Sequence, residues 1–234
     1  MSIDTSTPAD TRGIGSATDG LTAGLTGTLI RPGEVGWDHA RTPWVVNLDQ
    51  RPAAVAVVRS AGDVAATVRS ANAAGLRVTA LGTGHGAAAL GSLADTVLIR
   101  TAELRDVVVD PVGESVWAGA GAQWQAVTDA AAEHGLTALA GSAPDVGIAG
   151  YLLAGGISWL ARSRGLAVNS LLAVELVTAD GEVRVVDADH DPDLFWAVRG
   201  GGGNFGVVTA FRLRLHRVEA MVAGTLFFPM ERAH

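Results

Sequence analysis

Arg77-Val78-Thr79-Ala80-Leu81-Gly82-Thr83-Gly84-His85-Gly86 reads as a short apolar strand, Arg77–Leu81, running into a loop with glycine at every second position and one histidine among them. Glycine reaches positive φ without steric cost and lets another group approach the backbone closely. Successive N–H groups in such a turn can form an anion-binding concavity. A loop that cradles phosphate while presenting an imidazole would suit a flavin dinucleotide. Taken alone, the same residues also describe a tight turn with a surface histidine, so the rest of the chain decides.

Upstream of this loop, Arg51-Pro52 opens an apolar strand over Ala53–Val58. Ser60 and Asp63 bracket the start of a helix whose apolar spacing, Val64, Val68, Ala71 and Ala74, ends at Gly75. Strand, helix, strand and glycine loop make an α/β unit. Further upstream, order is expected to begin near Leu29, and Trp37–Trp44 reads as a loop or short helix on the domain edge.

Downstream, Asp95–Arg100 and Val107–Asp110 read as strands, and Ser115–Ala118 as the return of a hairpin. Gln123–His134 has helical spacing up to Gly135, and Leu136–Leu139 reads as a short strand. Gly141–Gly156 is too glycine-rich for a long helix and too apolar for an exposed linker, as expected where backbone lies against a large flat ligand. A short helix is predicted over Ile157–Arg164. Strands follow over Leu171–Thr178, Glu182–Val186 and Val207–Leu215, with a final one over Gly224–Phe228. Asp191-Pro192-Asp193 predicts a helix start with a capping carboxylate and Pro in the first turn.

Composition narrows the function. The chain has 234 residues, 48% hydrophobic, enough for a sizeable core, and 30 glycines without a collagen-like period. Its net charge of −7 gives no general affinity for nucleic acid or an anionic membrane. The absence of cysteine excludes disulfides, thiolate catalysis and a cysteinyl cofactor link. The first 25 or so residues lack a basic and apolar leader pattern and read as a disordered arm. No apolar run is long enough to span a bilayer. A cytoplasmic location is expected.

Gly201-Gly202-Gly203-Asn204-Phe205-Gly206 matches G-x-G-x-x-G, but a predicted helix precedes it and a strand follows. The dinucleotide fingerprint needs the reverse order, so a Rossmann site is rejected here. Gly119-Ala120-Gly121 has the right context, but Trp124 fills the third glycine position. There is no G-x-S-x-G elbow, and none of the six histidines forms a pair at metal-ligand spacing.

Four segments in order resemble the flavin-binding half of berberine bridge enzyme-like oxidases, within the vanillyl-alcohol oxidase family. They are Trp44–Asn47 with Arg51-Pro52-Ala53, Gly82–Gly86, Pro144–Gly165, and Asp193–Ala197 through Gly206-Val207-Val208. The resemblance covers about Trp37 to Val218. It implies an α+β fold, a PCMH-type FAD-binding domain of two α/β subdomains with the substrate domain largely absent. The divisions expected are an arm over 1–28, subdomains over 29–105 and 106–218, and the start of a truncated substrate domain over 219–234.

The resemblance also implies FAD, linked through His85 to the flavin 8α carbon. Gly82, Thr83, Gly84, Gly86, Pro144, Val146, Gly147, Gly150, Tyr151, Gly155, Gly156, Gly206 and Val208 would form the remaining cofactor surface. Ala143 stands where many relatives carry a cysteinyl link, so only the histidyl link is available. Asp145 stands where relatives carry Ser or Thr and is assigned no contact, because a carboxylate would repel pyrophosphate. Val146 corresponds to a position near the oxygen-reactive carbon, compatible with O2 access and equally with core packing. Tyr151 is expected to pack at the flavin rather than act as base.

The implied activity is an oxidase passing hydride from a small molecule (an alcohol, sugar or secondary metabolite) to flavin and then to O2. Relatives are about twice as long, and the catalytic base would lie beyond His234. Two alternatives stand beside this reading. One is a non-catalytic flavin-binding fragment, or a subunit needing a partner chain for the substrate site, with apolar surface left open around Leu153–Leu160 and Gly224–Phe228. The other is a reductase of the same fold fed by a nicotinamide donor, against which His85 argues.

Overall fold

The computed structural model describes residues 18–218 and 224–232. In chain order the strands are β1 (Thr28–Ile30), β2 (Ala54–Val57), β3 (Arg77–Leu81), β4 (Thr96–Arg100), β5 (Val107–Asp110), β6 (Ser115–Gly119), β7 (Leu136–Thr137), β8 (Leu171–Val177), β9 (Val183–Asp187), β10 (Val207–Arg214) and β11 (His216–Arg217). The helices are α1 (Trp37–Arg41), α2 (Ala61–Ala73), α3 (Trp124–Ala132), α4 (Ile148–Leu153), α5 (Ala161–Arg164) and α6 (Pro192–Val198).

These elements form two sheets. The first has the order β1-β2-β4-β3, with β4 parallel to both β2 and β3 and β1 antiparallel at the edge. Parallel strands need a crossover; α2 supplies it between β2 and β3. Ser60 caps α2 by accepting from the Asp63 N–H at 3.1 Å. The second sheet, β5-β6-β10-β8-β9, is antiparallel throughout. β7 and β11 form a separate two-stranded ladder.

The sheets share apolar packing. Val64 and Val68 of α2 and Val97 and Ile99 of the first sheet cluster with Val177 and Val207 of the second. A larger core under the second sheet gathers Trp124, Ile148, Leu152, Leu176 and Phe211. Polar ties reinforce the joint: the Arg69 guanidinium donates to the Gly181 carbonyl at 2.7 Å and the Asn72 amide to that of Ala179 at 2.6 Å. Gly121 donates its N–H to the Leu104 carbonyl at 2.8 Å. A Cβ on Gly121 would strike the Thr101 carbonyl, so a side chain there would push the two sheets apart.

Several expectations change. Part of the arm expected over 1–28 is structured: Asp19–Thr22 forms a 3-10 turn and Leu21 is fully buried. Burying a leucine stabilises by about 1.5–3 kcal/mol, enough to hold this segment on α2. The helix predicted over Ile157–Arg164 shrinks to α5, because the Ser158 hydroxyl accepts from the Leu160 N–H at 3.1 Å and competes with the helical pattern. Asp191 occupies the capping position of α6 but makes no side-chain cap bond. Its φ of 53° is left-handed; Pro192 disfavours the right-handed helical conformation in the residue before it. The strand predicted over Gly224–Phe228 does not form, and Leu226, Phe227 and Phe228 are exposed without a sheet edge to join. Of the segment 219–234, residues 219–223 and 233–234 lie outside the described residues.

Candidate functional site

β3 ends at Leu81, and Gly82–Gly86 crosses the carboxyl end of the parallel strands. Thr83 ties this loop to two other segments. Its carbonyl accepts from the Trp44 N–H at 3.0 Å, and its hydroxyl accepts from the Gly147 N–H at 3.4 Å. The first glycine motif of one sheet thereby meets the glycine-rich segment of the other. Gly84 is the loop's positive-φ residue, at 94°, and a Cβ there would lie 2.8 Å from Cβ of Pro43. Gly82 and Gly86 differ. A Cβ on Gly86 would meet nothing within 4 Å, and on Gly82 only Thr101 Oγ1 at 3.7 Å and the Ala120 carbonyl at 4.0 Å.

His85 stacks on Trp44, with ring centroids 4.2 Å apart and planes inclined by 23°. Its Nε2 is shut off from solvent and has no hydrogen-bond partner among the described residues. An imidazole held by stacking rather than by hydrogen bonds keeps its lone pair free for a ligand.

The segment from Pro144 is fastened to α3. The Pro144 carbonyl accepts from the Gln125 N–H at 2.9 Å and the Val146 carbonyl from the Trp124 N–H at 3.0 Å. These bonds satisfy two of the orphan donors of a helix start that has no side-chain cap. Val146 packs partly buried against the larger core, while Asp145 is exposed. Gly150 is open, with nothing within 4 Å of an added Cβ.

Tyr151 is built into the wall. Its ring meets Trp124 edge-on at 5.1 Å, and its hydroxyl donates to the Leu139 carbonyl at 3.2 Å. Burial pushes its pKa up. Added Cβ atoms at Gly141 and Gly156 would press on opposite edges of this ring. The Gly155 and Gly156 carbonyls accept from the Val168 and Ala167 N–H groups, each at 2.9 Å. Those two glycines therefore serve the turn into β8 as well as the surface expected of them.

Gly206 and Val208 lie at the start of β10. A Cβ on Gly206 would strike the Val177 carbonyl, and Val208 is only 6% exposed. No hydrogen bond among the described residues joins them to the Gly82–Gly86 loop. Sequence reading singled out neither Trp44 as a partner of His85 nor Arg100, whose Nη1 is also buried without a partner. The available signal for Arg100 was a charge closing an otherwise apolar strand.

The fit to a flavin dinucleotide rests on three features: bare backbone at Gly82, Gly86 and Gly150, an unpartnered imidazole between them and Trp44, and an unpartnered guanidinium at the end of β4. Among the described residues no three His, Asp or Glu side chains gather to hold a metal ion. None of their helices is long and apolar enough to cross a membrane.

Comparison with known proteins agrees. Residues 52–187 match the FAD binding domain family. (R)-6-hydroxynicotine oxidase of Paenarthrobacter nicotinovorans is 35% identical over 201 residues, covering 86% of this chain and 44% of the relative. The FAD-linked oxidoreductase pytB of Aspergillus terreus is 35% identical over 188 residues, covering 80% of this chain and 23% of the relative. The structure of glucooligosaccharide oxidase from Acremonium strictum, described with a 6-S-cysteinyl, 8α-N1-histidyl FAD, superimposes with a TM-score of 0.78 at 30% identity. It covers 86% of this chain and 42% of that one. The chain thus spans less than half the length of these relatives. With its domain match and its two-sheet fold, the chain belongs to the FAD binding domain family, and it is similar to the FAD-binding part of FAD-linked oxidoreductases and berberine bridge enzyme-like proteins.

Proposed function

We propose that the chain is the cofactor-holding part of an FAD-dependent oxidase, with FAD bonded through His85. The observation that carries this reading is the His85 imidazole, stacked on Trp44 and free of hydrogen bonds, on a loop with bare glycine backbone. A neutral imidazole is a competent nucleophile near pH 7. The link would join a ring nitrogen of His85 to the flavin 8α carbon, and the two hydrogens lost, one from the methyl and one from the imidazole, would reduce O2 to hydrogen peroxide.

Bound FAD supplies the hydride acceptor at N5, and the protein supplies orientation and electrostatics. The substrate class proposed is a small molecule with an oxidisable C–H bond: an alcohol, a sugar or a secondary metabolite. Partly exposed Val146 is compatible with O2 as final acceptor. Tyr151, with its hydroxyl committed to Leu139 and its pKa raised, is a wall rather than a base.

The test is spectroscopic. Purified protein supplied with FAD should show flavin absorbance and retain flavin fluorescence after acid precipitation. In His85→Ala the acid-stable fraction should vanish. No flavin band in the FAD-supplied protein would end the proposal, and acid-stable fluorescence persisting in His85→Ala would end the assignment of the link.

A second reading is favoured by the exposed apolar side chains Ile157, Trp159, Leu226, Phe227, Phe228 and Met230. Exposed patches of this kind mark interaction surfaces. On this reading the chain holds flavin but needs a substrate domain from a partner chain to turn over. Oxygen consumption by this chain alone with an alcohol, sugar or amine donor would argue against it.

A further inference from the structure

Arg100 closes β4 after three fully buried residues, Val97, Leu98 and Ile99. Side chains alternate along a strand, so Arg100 shares the face of Leu98. That face packs with Ala40, Leu81 and Ala87, under the segment that carries Trp37 and Leu48. Its partners in the ladder are Val57 and Leu81. Among the described residues the guanidinium has no hydrogen bond and no ion pair, its Nη1 is sealed from solvent, and burial alone pushes its pKa down.

Arg100 combines burial with the lack of a counter-charge, in contrast to the arginines of the first half of the chain that are ion-paired. Arg31, Arg41, Arg51 and Arg77 each hold a carboxylate, of Glu34, of Asp38 and Asp49, of Asp49, and of Asp95 respectively. A buried charge without a counter-charge costs several kcal/mol. A guanidinium offers a planar fork of donors matched to phosphate oxygens.

Position identifies the anion. In open α/β sheets ligands bind beyond the carboxyl ends of the parallel strands, and Arg100 is the last residue of the central parallel strand here. The Leu81–Arg100 pairing sets it beside the residue from which the Gly82–Gly86 loop springs. The next residue, Thr101, donates its N–H to the Leu81 carbonyl at 3.3 Å, and its Oγ1 faces the bare side of Gly82.

We propose that Arg100 is a cofactor-binding residue that supplies the positive charge for the pyrophosphate of FAD, from the β4 side of the Gly82–Gly86 loop. The proposal rests on the FAD reading above and adds the residue that recognises the anionic part of the dinucleotide. The loop amides then orient the pyrophosphate, and Arg100 neutralises it.

The experiment uses the full chain carrying His85→Ala, so that binding is reversible. Arg100→Met, Arg100→Gln and Arg100→Lys are placed on that background. FAD is titrated, and ADP serves as a probe with the pyrophosphate and no flavin. Arg100→Met and Arg100→Gln should weaken both ligands at least tenfold, and Arg100→Lys by less. The salt dependence of ADP binding should flatten in the two neutral variants. Without ligand, Arg100→Met should melt at or above the parent temperature, because an unpaired buried charge has gone. If a folded neutral variant binds ADP within twofold of the parent, the Arg100 proposal is overturned while the FAD reading stands. If the parent binds neither ligand, the FAD reading falls and this proposal with it. Arg100→Gln decides the matter should Met not be tolerated.

Discussion

The indole of Trp44 lies over the imidazole of His85, centroids 4.2 Å apart, while its backbone N–H holds the Thr83 carbonyl two residues before that histidine. One residue thus fixes both the loop and the ring it presents. Trp44 is itself 58% exposed, so its aromatic face serves the histidine more than the core. Trp44→Ala should slow formation of acid-stable flavin at least tenfold, whereas Trp44→Phe should stay within about threefold of the parent. The time course of protein-bound fluorescence after FAD addition measures this. Equal rates in Trp44→Ala and the parent would show that the stack has no part in presenting His85.

Gly84 cannot be replaced quietly. Its φ of 94° disfavours any L side chain, and a Cβ would press on Pro43 and on the Trp44 nitrogen at 3.0 Å. Left-handed strain alone costs about 1–3 kcal/mol. Gly84→Ala should lower the urea midpoint accordingly and reduce flavin retention. Gly86→Ala meets no protein atom within 4 Å. Its stability should be unchanged, and any loss of FAD affinity there would report the ligand directly.

Tyr151 offers a test of wall against base. Tyr151→Phe removes the hydroxyl donated to Leu139 and keeps the ring between Gly141 and Gly156. A net loss of about 1 kcal/mol in stability is expected, with FAD binding and the pH profile of any turnover unchanged. A pH profile that loses its basic limb in this variant would make the hydroxyl a proton carrier instead.

Asp63 gives a pH dependence with a definite sign. The carboxylate is 1% exposed. It accepts from the Thr26 N–H and hydroxyl at 2.7 and 2.8 Å and from the Arg59 N–H at 2.8 Å. Burial pushes its pKa up, but the hydrogen bonds from Arg59 and Thr26 outweigh this and hold it below the ordinary 3.8. Its contribution is therefore fully present above pH 3.8 and is lost as pH falls through the lower native value. Asp63→Asn should cost about 1–3 kcal/mol at pH 7. The gap between the two urea midpoints should narrow as pH falls below 3.8; a gap that does not change with pH would contradict the assignment.

Sequence alone determined most of the strands and the two longest helices, though not β1, α4 or β11. Ser60 with Asp63 starts α2, Gly75 ends it at positive φ, and Arg77–Leu81 is a strand to the residue, because capping, period and glycine conformation are local properties. The four ordered segments likewise named the family, and His85 stood out because a histidine between alternating glycines has few local uses. Tertiary structure decided what those residues touch. Whether a glycine is bare, as at Gly86, or pressed by backbone, as at Gly206, depends on a strand or loop distant in sequence. The stack of Trp44 on His85 spans 41 positions. The isolation of Arg100 arises only once β2, β3 and β4 align and no carboxylate falls beside it. Local rules dictate φ, ψ and burial pattern; contacts between segments, and with them the open surface where a ligand can lie, follow only from how the two sheets pack.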